Sequence, residues 1–273
     1  MREGIRTQAI ALPLTAVVCA ALIFLLRGEV HLINLITAKD ISLHFNFAEM
    51  MVGFAIYMKT SIDFSIFIGR LMQKNTGLKS RIAIEIGTAV GNGIGTFLVL
   101  LLWALFKEVN WLLAIMVGLA SLVLFRLAKD GLEEIDIDGR KEGLFTKVLS
   151  AFDKALTKVN DIIDPLLSRI LPGNGIKVTT VTKFSSLILM SFTVPFILGL
   201  DDFAGYVPLH RAPTVYSFAI GVLVGHMVLN IFLFLSPKRT VDIVKNHVIS
   251  FIGSVVFVIL ALLGIKEVIH LLV

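Results

Sequence analysis

Two carboxylates with matching surroundings carry the chemistry that this sequence offers. Asp63 stands in Lys59-Thr60-Ser61-Ile62-Asp63-Phe64, inside a segment that is otherwise membrane-like from 47 to 72. An ionised carboxylate is costly at such a position, and residues of this kind face a bundle interior or an aqueous cavity and mark ion or proton sites. Asp201 stands in Leu198-Gly199-Leu200-Asp201-Asp202-Phe203, 138 residues later. The same offset takes Ala83 to Gly221, Gly87 to Gly225 and Asn92 to Asn230. Hard oxygen ligands suit magnesium, calcium or manganese better than softer metals. The expected ion-binding set is therefore Asp63, Asp201 and Asp202, assisted by Asn92 and Asn230, with Asp63 and Asp201 as the ligands of a divalent cation of the Mn, Mg or Ca class. No other cofactor is indicated. Asp202 has a plainer alternative as an interfacial residue at a helix end, and membrane asparagines more often hydrogen-bond between helices than bind ions.

Two further residues bear on charge. Lys59 lies four residues before Asp63, so a continuous helix puts both on one face, either as a buried ion pair or as a switch that moves when a cation or proton arrives. His226 shares a helical face with Asn230 and is the best proton-shuttle candidate, a hydrogen-bonded structural histidine being the alternative. Glu85 and Glu49 stand as lone polar residues in apolar segments. Ser61 and Gly69, and Gly199 and Gly205, would permit broken helices around both motifs. Unwound backbone at membrane depth is tolerated where it is buried in protein or lines a cavity.

The elements that must position these residues are membrane helices. The chain is 56% hydrophobic and only 16% charged, with a mean hydropathy of +0.89, whereas a soluble domain carries roughly 25% charged residues. Apolar runs near the roughly 20 residues needed to cross the hydrocarbon core fall at 9–26, 46–72, 82–106, 110–128, 183–208, 214–236 and 247–271. The first is expected to be a retained helix rather than a cleaved signal. Lysine and arginine crowd the connections after the second, fourth and sixth spans, among them Arg70, Lys74, Lys79, Arg81, Lys238, Arg239 and Lys245. Cytoplasmic loops carry such an excess, which puts the N-terminus in the cytoplasm and the C-terminus outside, in the plasma (inner) membrane of a prokaryote.

Spans two to four and five to seven make two sets of three, and an odd number of helices per set inverts one relative to the other. The expected fold is an all-α polytopic membrane protein of seven transmembrane helices, one N-terminal helix plus an inverted 3+3 repeat of the kind secondary transporters use. Its parts are 1–45 (first helix and outer loop), 46–128 (first repeat), 129–182 (cytoplasmic linker) and 183–273 (second repeat). In the linker, apolar residues from Phe145 to Ile170 recur at helical spacing beside Lys147, Lys154 and Lys158, predicting an amphipathic helix, at the membrane surface or packed on the bundle as a plain linker, that Pro165 bends or interrupts. The acidic run before it, from Glu133 to Asp138, lacks the ligand spacing of a calcium loop and is expected to be a solvated turn.

Other classes are disfavoured. H-E-x-x-H, P-loop and G-x-S-x-G motifs are missing, so no enzyme is expected. An intramembrane aspartyl mechanism would need the two aspartates in contact and a glycine-rich motif that the chain lacks. The single cysteine, Cys19, rules out an intramolecular disulfide. The formal charge of +5 belongs to loop topology, not to nucleic-acid binding. The expected partners are the lipid bilayer and a small ion or solute, with a homo-oligomer allowed.

Ser61-Ile62-Asp63 and Gly199-Leu200-Asp201, each within a three-helix set, resemble the lysine-exporter superfamily with its tellurium-resistance (TerC) and cadmium-resistance branches. The resemblance covers about 46–271. It implies two three-helix repeats and transport, usually export, of cations or small solutes, with Asp63 and Asp201 at the motif positions. The family's asparagine after the aspartate is replaced here by Phe64 and Asp202, so no substrate carries over. The expected function is a secondary transporter exporting a divalent cation or other small solute. The alternative is a non-transporting scaffold or assembly factor that acts through the cytoplasmic amphipathic helix.

Overall fold

The computed structural model describes residues 2–75, 77–133, 144–170, 184–189, 191–193, 215–244 and 246–273. These residues form helices and no strand. In chain order the helices are α1 (Arg2–Asn34), α2 (Phe47–Thr60), α3 (Ile62–Lys74), α4 (Leu78–Phe106), α5 (Asn110–Glu133) and α6 (Leu144–Ile170). A short apolar helix α7 (Phe184–Thr193) follows, then α8 (Val215–Leu235), α9 (Pro237–Val244) and α10 (His247–Leu272).

Among the described residues five segments are long and apolar enough to cross a membrane: Pro13–Asn34, Leu78–Phe106, Asn110–Leu132, Val215–Leu235 and Ser250–Leu272. The pair α2 and α3 passes the same test together, as one span bent by 63°. The chain is thus an integral membrane protein by the length and composition of its helices. Large side chains such as Phe24, Leu32, Ile259 and Leu262 stand exposed along α1 and α10, where a soluble protein would bury them and a bilayer accepts them. Of the seven expected spans, the fifth (183–208) is described only as α7, and the rest of it lies outside the described residues. The first span differs in extent. The helix continues past Arg27 to Asn34 because Val30 and Ile33 extend the buried face of Leu26 beyond the arginine.

Contacts sort the helix ends into two groups. The Arg81 guanidinium donates to the Phe234 carbonyl in the last turn of α8 (2.7 Å), a favourable cation at a helix C-terminus. Gly69 of α3 packs on Val241 of α9, and Gly131 of α5 packs on Ser254 of α10. The connection after α3, the one after α8 and the C-terminus of α5 therefore share one end of the bundle, the end where the basic residues crowd. At the other end the Asn46 side chain caps α2 by accepting from the Ala48 N–H (2.9 Å). The Asn46 N–H in turn donates to Ser217 Oγ at the start of α8 (2.8 Å).

The most extensive helix pairings are α5 with α10 and α2 with α8. Small residues set the second of these. Gly53 sits against the Phe218 carbonyl and Gly221 against the Met50 carbonyl, so the two backbones touch with no room for a side chain between them. The amphipathic helix of the linker is present as α6 and lies on α5. Leu149, Leu156 and Ile163, seven residues apart, are its buried stripe. Asn160 Nδ2 donates to the Phe125 carbonyl (3.2 Å), and Lys129 pairs with Asp153 (3.3 Å). Pro165 does not interrupt the helix, which runs on to Ile170. The proline lies close to the C-terminal end, where few hydrogen bonds depend on the missing donor. The acidic run expected as a turn lies outside the described residues apart from its first member.

Replacing Gly221 by leucine should lower the thermal unfolding temperature of the detergent-purified protein sharply. Overpacking costs about 1–3 kcal/mol, and here the obstacle is backbone rather than a side chain that can turn away. Gly28→Ala meets nothing within 4 Å and should be neutral or raise that temperature slightly, since alanine is the better helix former by about 1 kcal/mol.

Candidate functional site

The break at Ser61 is the feature that places the first acidic motif. Thr60 Oγ1 bonds back to the Ile56 and Tyr57 carbonyls (both 3.2 Å), which ends α2, and Ser65 Oγ bonds to the Ser61 carbonyl (2.6 Å), which braces the first turn of α3. At a rise of 1.5 Å per residue the fourteen residues of α2 set this break about 21 Å in from the Asn46 end. Asp63 is the second residue of α3. Its side chain lies outside the described residues, and so do Asp201 and Asp202 entirely. The described residues contain no group of three or more histidine, cysteine or acidic residues that could hold a metal.

The break at Ser61 falls between Lys59 and Asp63, so the two do not belong to one continuous helix, and the pairing of their side chains lies outside the described residues. Lys59 is the penultimate residue of α2. Its Nζ donates to the Ser250 carbonyl of α10 (3.1 Å) and approaches the Phe257 ring at 5.9 Å from the centroid. Its methylenes fill the space that a side chain at Gly253 would need, and its Nζ lies against Gly131. Lys59 thus fastens α2 to the α5–α10 pair. A cavity of about 580 Å³ opens beside it between α2 and α10, lined by apolar residues such as Val52, Ile56, Val256 and Phe257. The one charged residue of that lining is Lys59, whose ammonium is a donor and cannot ligate a cation.

The polar chemistry gathers instead where α2, α4 and α8 meet. His226 of α8 is fully buried. Its Nδ1 lies 2.6 Å from Tyr57 Oη of α2, and its Nε2 lies 3.2 Å from Asn230 Nδ2. Asn230 Nδ2 also donates to Thr88 Oγ1 of α4 (3.1 Å), and the Thr88 hydroxyl donates to the Glu85 carbonyl (3.0 Å). Phe64, the residue after Asp63, rests on the imidazole at 5.2 Å between ring centroids. His226 is therefore not a lone polar residue. It is the middle of a chain of hydrogen bonds through three helices, and that chain passes beside the helix break. With Nδ1 protonated, the imidazole donates to Tyr57 Oη and accepts from the Asn230 amide. With Nε2 protonated, the tyrosine hydroxyl donates to Nδ1 and the amide turns its oxygen to the ring. The second arrangement also requires the Thr88 hydroxyl to turn from the Glu85 carbonyl to the Asn230 oxygen, so the first is the one that keeps every contact given above.

Asn92 and Asn230 are both buried, but they are not joined to each other. Asn230 bonds to Thr88, one turn away from Asn92 on α4, and Asn92 Nδ2 has no protein partner. Asn230 Oδ1, Glu85 Oε1 and Glu85 Oε2 are likewise buried without partners. Glu85, Thr88, Asn92 and Thr96 form a buried polar stripe along α4, at the spacing that keeps residues on one helical face. Individual inspection of asparagines and charges misses that stripe, whereas polar residues recurring every three or four positions in an apolar helix reveal it. Tyr57 is found by a similar rule, since a tyrosine deep in an apolar segment needs a partner for its hydroxyl.

Tyr57→Phe should destabilise the detergent-solubilised protein by about 1–3 kcal/mol, the cost of leaving a buried partner unsatisfied. Combining it with His226→Leu should cost less than the sum of the two single changes, read from thermal unfolding of all four proteins. Additive losses would mean that the 2.6 Å contact contributes nothing.

Comparison of the chain with models of protein families, with curated proteins and with solved structures yields no match.

Proposed function

We propose that the protein is a secondary transporter that exports a divalent cation or another small solute through the seam where α2, α3, α4 and α8 meet. The observation that carries this is the helix break at Ser61, which interrupts a membrane-crossing segment beside the buried Tyr57–His226–Asn230–Thr88 chain. Broken backbone inside a bilayer leaves amide and carbonyl groups that must find partners, and transporters use such groups at their ion sites. Asp63, placed just after the break, is one carboxylate ligand. Asp201 is its counterpart from the second half, with Asp202, Asn92 and Asn230 as auxiliary oxygens. A manganese, magnesium or calcium ion is the cargo that this ligand type favours.

The inverted arrangement of the two halves belongs to the same proposal. Its support is a pair of reciprocal contacts. Gly221 of the second half sits against the Met50 carbonyl of the first, and Gly87 of the first sits against the Ile188 carbonyl and Ser191 hydroxyl of the second. Met50 and Ile188 are 138 residues apart, the offset of the two aspartates. Gly87 and Gly221 are 134 apart, so these contacts align the middle helices one helical turn away from the Asn92 and Asn230 correspondence. In this proposal the end bearing the basic connections faces the cytoplasm, which puts the C-terminus of α10 outside. On α6, Leu149, Leu156 and Ile163 are buried, while Val148 and Ile162 of the same helix stand exposed.

The test is transport by the purified chain in proteoliposomes loaded with manganese, then magnesium and calcium. Asp63→Asn and Asp201→Asn should each lower flux by roughly tenfold or more, because a neutral amide cannot balance a divalent charge at membrane depth. Unimpaired flux of every ion in both variants would remove the two-carboxylate site.

A further inference from the structure

Glu85 is the buried acid that neither the aspartate motifs nor the histidine chain uses. It sits in α4 seven residues after Leu78, fully buried, with both carboxylate oxygens inaccessible and without hydrogen-bond partners. The polar group beside it is the Thr15 hydroxyl of α1, which is buried too and lies outside hydrogen-bond geometry. Among the described residues no countercharge pairs with it: Arg81, one turn earlier on α4, gives its guanidinium to the Phe234 carbonyl instead. From α8 the polar residues on this seam are His226 and Asn230, which bond to Tyr57 and Thr88. The described residues of α7 include no ionisable group. On α3 and α5 the ionisable residues with described side chains are Arg70, Lys74, Arg126, Lys129 and Asp130, and none forms an ion pair with Glu85. The side chain of Asp63 lies outside the described residues. A carboxylate so buried, with no ion pair or hydrogen bond among the described residues, is costly enough to ionise that the group takes up a proton instead.

We propose that Glu85 is a proton-binding site, closed off by Thr15 of α1, and that its proton is the ion whose gradient drives export. The second half of this statement rests on the transport reading above; the first does not. A sodium ion is the poorer occupant. It would need several acidic or neutral oxygens converging with the carboxylate, and the described residues hold no second acidic group clustered there. The step is a simple dissociation, in which the carboxylic acid gives its proton to water and becomes a carboxylate. For water to reach it, α1 must move away from α4, against which it packs through Leu22 on Gly93 as well as through Thr15. A carboxylate formed in that open state cannot be covered again without a proton or another cation. That is the property a coupling site requires.

Two measurements on the full chain separate the halves of the proposal. Infrared spectroscopy of the reconstituted protein at neutral pH should show the carbonyl stretch of a protonated, dehydrated carboxylic acid that is missing in Glu85→Gln. Glutamine is the neutral isostere, so this variant should fold. Should it not, Thr15→Val must still move that band, since it removes the hydroxyl dipole beside the acid. No such band in the wild type, or an unchanged band in Glu85→Gln and in Thr15→Val, overturns the proton site whatever the transport results. In the second measurement, manganese accumulation is driven by an imposed pH gradient in proteoliposomes. Glu85→Gln should lose it by roughly tenfold or more, and accumulation equal to wild type overturns the coupling role. A wild type that shows the band and moves no manganese, magnesium or calcium overturns the divalent-cation reading and the coupling role to it together, while the proton site stands.

Discussion

The contact on which the rest depends is the backbone-to-backbone approach of α2 and α8. Helices in a bilayer gain little from hiding apolar side chains from lipid, so close association must come from packing and polar contacts. Gly53 and Gly221 remove the side chains that would hold these two helices apart. Only at that separation can Tyr57 Oη come within 2.6 Å of His226 Nδ1. Gly225 lies directly against the Tyr57 ring and makes room for it. The hydrogen bond, in turn, lets a histidine occupy a fully buried position in an otherwise apolar helix.

Around this pair the other elements take complementary roles. α8 is the most enclosed of the long apolar helices, whereas α1 and α10 present most of their surface outward. α4 turns its polar stripe towards α8 through Thr88 and Asn230 and towards α1 through Glu85 and Thr15. The α5–α10 pair stands apart from this polar region and is tied to it by Lys59, which leaves α2 just before the break and reaches the Ser250 carbonyl. A movement of α3 relative to α2 about Ser61 would therefore be felt at the Lys59 anchor and, through Phe64, on the face of the imidazole.

Much of this was legible in the sequence because membrane helices obey strong rules. The apolar runs at 82–106, 214–236 and 247–271 correspond closely to α4, α8 and α10. The serine and glycine content near Asp63 indicated where a helix could break, and Ser61 is where it does. The lysine-flanked periodicity of the linker gave α6, although its apolar stripe lies on α5. The roles of Lys59 and His226 were not legible, because each depends on a partner more than 160 residues away, Ser250 for the one and Tyr57 for the other. No local periodicity encodes such a pairing. Thr15 escaped notice for the same reason, since a hydroxyl in an apolar helix is ordinarily satisfied by its own backbone, and this one is not.

The central claim is that the break at Ser61 lines a water-filled route during function, although Ser61 is buried in the state described. Its most direct test is chemical access. With the single native cysteine removed as Cys19→Ser, a cysteine at position 61 should react with a small, charged, water-soluble thiol reagent in sealed membrane vesicles. A cysteine at the equally buried Leu100 of α4 should remain unreactive. Protection of position 61 from both faces of the membrane, under conditions in which a loop cysteine is labelled fully, would show a dry break and contradict transport through this seam.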